Sequence, residues 1–165
     1  MSSYKLHAYA GLAANKKVLN AAFDSAGTPA PLRTLFLAMA MLETTTLSSA
    51  QRDDSKDSQG VCANVSLFNL SIDLVRYLGY RGDPWGLNAA SALPEVVRLL
   101  RAGVDKYGRD RLLNFVRGGR TAFNDGHSYG AAEYRRTIAT IEGVLARDPS
   151  LAWDDRRVEV YLCHV

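Results

Sequence analysis

The stretch Leu35-Phe-Leu-Ala-Met-Ala-Met-Leu42 is apolar without interruption and ends abruptly on Glu43-Thr-Thr-Thr. A helix that is apolar on every side must be enclosed by the rest of its fold, so this run marks the centre around which the chain has to pack. Pro29 and Pro31 stand just upstream, with Thr28 as a cap, and set a helix start near residues 29 to 32. Leu32, Leu35, Phe36 and Met39 recur at helical spacing, and Glu43 falls one turn past Met39 on the same side. The last turn then carries a carboxyl into apolar surroundings, beside the negative end of the helix dipole. Desolvation and dipole both favour the protonated form, which a general acid needs at neutral pH. The plainer alternative is that the helix surfaces at Glu43 and the carboxylate is solvated.

Around this run the remaining elements read mostly as helix. Residues 15–25 form a short amphipathic helix stopped by Gly27, and residues 45–62 form a polar loop containing Asp53, Asp54 and Asp57. Ala63 to Leu70 is a short extended segment or a turn, after which Ser71 caps a helix carrying Ile72, Leu74, Val75 and Leu78 and ended by Gly79. Gly82-Asp-Pro-Trp-Gly86 is a turn. Pro94 opens a helix whose inner side holds Val96, Val97, Leu99, Leu100 and Val104. A shorter helix with Leu112, Leu113, Phe115 and Val116 is broken at Gly118-Gly119, and a polar, aromatic loop spans 123–130. The last long helix starts at Ser128 or just after, carries Tyr134, Ile138, Ile141 and Leu145 along one face, and stops at Pro149. Residues 157–163 alternate weakly, as an edge strand or an extended strap would. The expectation is one mostly-α domain over all 165 residues, with minor strand content.

A buried helical glutamate followed by a loop rich in aspartate suits one chemistry in particular. Cleaving a glycosidic bond takes a protonated carboxyl to aid the leaving oxygen and an ionised one to activate water or stabilise positive charge on the sugar. A buried Glu43 and a solvated loop aspartate would divide those roles by environment. The same residues carry a resemblance. An apolar helix ending in Glu43-Thr44, a loop with Asp54-Ser-Lys-Asp57, then Ala63-Asn64 and Phe68-Asn69, resembles glycosidases of the lysozyme-like superfamily, most of all small fungal secreted members. The likeness covers residues 32–78 and, more loosely, 120–145, where Asp125-Gly-His-Ser-Tyr129 is similar to the tyrosine-bearing segment such enzymes place beside their groove. The family's Asp-x-Lys-x-x-Asp is one residue shorter here.

The resemblance implies a lysozyme-like fold with a buried central helix. It makes Glu43 the general acid and Asp57 the second carboxylate, with Asp53 or Asp54 as substitutes. Asp54, Asn64, Ser66 and Asn69 would line the cleft and bond sugar hydroxyls. Trp85, Tyr80, Tyr129 and Tyr134 offer flat faces for sugar rings, and Asp125 and His127 further hydroxyl partners, although Tyr134 is also placed as a core residue. The expected activity is hydrolysis of a β-linked polysaccharide of the chitin, chitosan or peptidoglycan type, with inversion favoured by the roomy 45–62 loop. Neither a metal nor an organic cofactor is expected. The competing reading is a non-catalytic, effector-like helical protein that binds a glycan or another partner.

Charge and motif narrow the rest. Lys and Arg total 20 against 17 Asp and Glu, and no basic block exceeds two residues, so a nucleic-acid partner is not expected. The apolar run is too short to span a bilayer, and the chain is expected to be a monomer without a membrane partner. Met1 to His7 shows no apolar export segment, so secretion would need a leader removed beforehand; otherwise the protein would be cytoplasmic. Cys62 and Cys163 leave a disulfide and two free thiols equally open. There is no H-E-x-x-H, G-x-S-x-G or phosphate-cradling loop.

Overall fold

A computed structural model of the chain describes residues 2–48, 64–126 and 129–162. Its described elements run β1 (Ser2–Ala8), α1 (Leu12–Ser25), α2 (Ala30–Glu43), β2 (Asn64–Val65), β3 (Leu70–Ser71), α3 (Ile72–Tyr77), α4 (Leu93–Tyr107), α5 (Arg109–Asp125), α6 (Tyr129–Arg147) and β4 (Arg156–Leu162), with short 3-10 turns at Pro84–Asn88, Ala90–Ala92 and Pro149–Ala152. The fold is mostly α, as its sequence pattern predicts.

The apolar run is the middle of α2. Pro29, not the expected Thr28, takes the cap position in extended geometry, and the Thr28 hydroxyl makes no capping bond; Pro31 sits in the first turn, where a missing N–H costs nothing. Leu35 through Met41 are all buried. Thr44 ends the helix by turning extended, and both its N–H and its hydroxyl donate back to the Ala40 carbonyl, at 3.0 and 3.2 Å. Helix α6 packs along α2, β4 lies against both, and α5 packs on α6 and α4. Two polar clamps hold α5 to α6: Arg109 with Glu142, and Arg135 donating to Asn114 Oδ1. A bidentate pair, Arg120 to Asp73 at 2.9 and 2.8 Å, ties α5 to α3.

Three segments depart from what the pattern predicts. The tail does form a strand, β4, but its partner is β1 at the other end of the chain, paired antiparallel from Ser2 opposite Leu162 to Ala8 opposite Arg156. Residues 64–71 are a hairpin, with β2 paired to β3 across the turn Ser66–Asn69. Helix α5 does not stop at the glycine pair. Gly119 takes φ 69, ψ −160 and kinks the axis, after which the helix resumes to Asp125. What draws it back is burial of Ala122 and Phe123, the latter packed with Tyr77, Tyr107 and Phe115 at ring separations of 5.1 to 5.4 Å.

Lys16 anchors the far side. Its side chain is fully buried and donates to the carbonyls of Leu151, Asp154 and Arg156 at 2.5, 2.8 and 2.6 Å, which pins the approach to β4 against α1. Burial lowers its pKa to about 8, with Asp154 pulling the other way. Cys62 and Cys163 lie outside the described residues. Among the described residues no helix is long and apolar enough to cross a membrane.

Candidate active site

The carboxyl end of α2 opens on a cleft of about 340 Å³, at the lower end of the ~300–1,000 Å³ usual for small-molecule sites. Helix α2 contributes Leu42 and Glu43, α5 contributes Arg117, and α6 contributes Gly130, Glu133, Tyr134 and Thr137. The four α6 residues follow helical spacing and so form one stripe turned towards the end of α2.

Glu43 is half-buried. Its Oε2 accepts a hydrogen bond from Asn69 Nδ2 at 3.3 Å. Burial raises its pKa above the ordinary glutamate value, opposed in smaller measure by the Asn69 bond and by the Arg117 charge. The hairpin explains how Asn69 reaches it. Ser66 and Asn69 both hold left-handed backbone, φ 65 and 54, and Asn69 donates its N–H to the Ser66 carbonyl at 3.0 Å. Asparagine tolerates that geometry better than most residues. The turn is locked by Ser66 N–H donating to Asn88 Oδ1 at 2.8 Å and by burial of Val65, Phe68 and Leu70.

Tyr134 is buried, and its hydroxyl finds no hydrogen-bond partner among the described residues. Burial, and then the charge of Glu43, push its pKa up, so it stays a neutral phenol able to donate. Arg117 is exposed and lies across the first turn of α6, where a Cβ on Gly130 would meet its Nε at 3.4 Å. The missing side chain at Gly130 thus leaves both the guanidinium and the cleft floor open.

The residues expected to form the site are dispersed. Glu43 and Asn69 are brought together, but Asn69 is not among the cleft-lining residues and its amide is bonded to the Glu43 carboxyl. Asn64 is in strand β2, paired with Ser71, and Ser66 is buried with its hydroxyl accepting from Phe68 N–H at 3.1 Å; neither lines the cleft. Trp85 is half-exposed in the 3-10 turn Pro84–Asn88, and Asp125 is exposed at the end of α5; they too stand apart from the lining. Tyr129 begins α6. Asp53, Asp54, Asp57 and His127 lie outside the described residues. Five lining residues are not among the sequence candidates: Leu42, Arg117, Gly130, Glu133 and Thr137. The spacing of Gly130, Glu133, Tyr134 and Thr137 was the available signal, but it reads equally as an ordinary solvent-facing helix edge until α2 is known to lie opposite.

Compared with known proteins, the chain matches no family model and no curated sequence. Among the described residues, no three His, Cys, Asp or Glu side chains are grouped to hold a metal ion.

Proposed function

We propose that this protein is a glycoside hydrolase that cleaves a β-linked polysaccharide, of the chitin, chitosan or peptidoglycan type, with Glu43 as general acid. One observation carries the reading: a half-buried carboxyl, its pKa raised by burial, forms part of the wall of a cleft large enough for a small ligand. Such a group holds its proton where a free glutamate would not, and can pass it to a glycosidic oxygen as the C–O bond breaks. Asn69 fixes the direction in which the carboxyl points. Tyr134 stands in the same wall as a neutral phenol, and Arg117 adds a cation. The resemblance of residues 32–78 to lysozyme-like glycosidases supports the same assignment.

The test is a reducing-end assay over chitin, chitosan, peptidoglycan and β-glucans with wild type and Glu43→Gln in parallel. Wild type should release new ends from at least one polymer, and Glu43→Gln should lower that rate by about 10²–10⁴-fold. Equal rates for the two proteins would rule out the acid assignment. Glycan binding without any turnover by wild type would identify a binding protein instead.

A further inference from the structure

We propose that Glu133 is the second carboxylate of this cleft, the general base that takes a proton from the attacking water; the assignment rests on reading the cleft as a glycosidase site with Glu43 as its acid. Among the described residues, Glu133 is the acidic side chain that shares the cleft lining with Glu43. The two stand on different rigid elements, Glu43 on the last turn of α2 and Glu133 in the opening turns of α6, and these helices pack against each other. Their carboxyls make no hydrogen bond to one another and so do not form a pair sharing one proton; Glu43 bonds Asn69 instead. The Glu133 carboxylate has no hydrogen bond or ion pair among the described residues, so its lone pairs are available to water. Glu142 in the same helix is bonded to Arg109 instead and does not line the cleft.

The neighbouring position supplies a second observation. Tyr134 also lines the cleft, and its hydroxyl, itself buried, has no protein partner among the described residues. Glu43 and Glu133 line one cleft from two helices, which gives acid and base separate footings; an inverting mechanism uses such a pair with water admitted between them.

The step balances as follows. Water oxygen forms a bond to the anomeric carbon while the bond from that carbon to the leaving oxygen breaks, its electron pair passing to the leaving oxygen. Glu43 gives that oxygen its proton, and Glu133 accepts one from the water. The products are two hydroxyl-bearing fragments, an ionised Glu43 and a protonated Glu133, and solvent returns the proton to the starting distribution.

The experiment uses the full chain on whichever glycan wild type degrades, comparing Glu133→Gln, Glu133→Ala, Glu43→Gln and Asp57→Asn. Glu133→Gln should lose at least about 100-fold in kcat, with little change in KM and an unchanged melting temperature. Sodium azide should restore turnover to Glu133→Ala and yield the glycosyl azide of inverted configuration. NMR of the first wild-type product should likewise show inversion. A fully active Glu133→Gln beside an inactive Glu43→Gln would overturn the base assignment and leave the hydrolase reading standing. Loss in Asp57→Asn but not in Glu133→Gln would move the base to the 45–62 loop and overturn it equally. A fully active Glu43→Gln, or a wild type inert on every glycan, would remove the hydrolase reading and this assignment with it.

Discussion

Glu43 gives up much of its hydration at the end of α2 and gains one hydrogen bond, from Asn69 at 3.3 Å. Because its folded pKa stands above the unfolded value, the native protein keeps a proton that the unfolded chain has released over the interval between the two. Stability from this group is therefore complete below the unfolded glutamate pKa and declines as pH rises through the folded one. Glutamine removes the ionisation and keeps the shape. Glu43→Gln should accordingly melt above wild type at pH 7, with the gap closing towards pH 4; for a chain of this size each ~1 kcal/mol reads as about 2–4 °C. Thermal scans of both proteins at the two pH values check it, and a gap that widened on acidification would contradict the sign. Glu43 was legible in the sequence, because an uninterrupted apolar run can end on a carboxyl in few ways. The bond from Asn69 to Glu43 was not legible, because it depends on a left-handed turn, and the cleft-lining place expected of Asn69 is not where the fold puts it. Glu133 was not legible, because whether a helical glutamate faces solvent or a cleft depends on what lies opposite.

Among the elements, α5 shows most plainly how packing overrides a local break. Gly119 adopts φ 69, ψ −160, a region open almost solely to glycine. Gly119→Ala should cost about 1–3 kcal/mol, seen as a lower denaturant midpoint with an unchanged slope. Gly118→Ala, at helical geometry next to it, should cost less than Gly119→Ala, and a reversed order would refute the kink as the cause. The glycine pair was readable as a break, whereas resumption of the helix was not, since it follows from Phe123 reaching Tyr77, Tyr107 and Phe115. Of the two caps the sequence offers, Thr28 does not cap α2 and Ser71 does cap α3. Ser71 accepts from Leu74 N–H at 3.1 Å at the start of α3, where its side chain was expected to cap. Strand β1 is not legible locally, because its pairing partner β4 lies far along the chain and no local pattern encodes so distant a contact.

At the level of the whole molecule, Lys16 joins the first helix to the last strand. Replacing it with methionine leaves the carbonyls of Leu151, Asp154 and Arg156 without their donor, at a cost of about 2–4 kcal/mol. Its folded pKa of about 8 lies below the usual 10.5. Across that interval the unfolded chain holds a proton that the folded one has released, so this lysine's contribution rises with pH. Chemical denaturation at pH 7 and pH 10 should show wild type gaining on Lys16→Met at the higher pH; a constant difference would mean that the amine does not titrate there. The ribbon that Lys16 steadies has a topological consequence. With Ser2 directly across from Leu162, the described backbone returns to within about 5 Å of where it set out. The first and last described strands thus depend on each other for pairing, since neither has a second neighbour among the described residues, and loss of one would strip the other of its ladder.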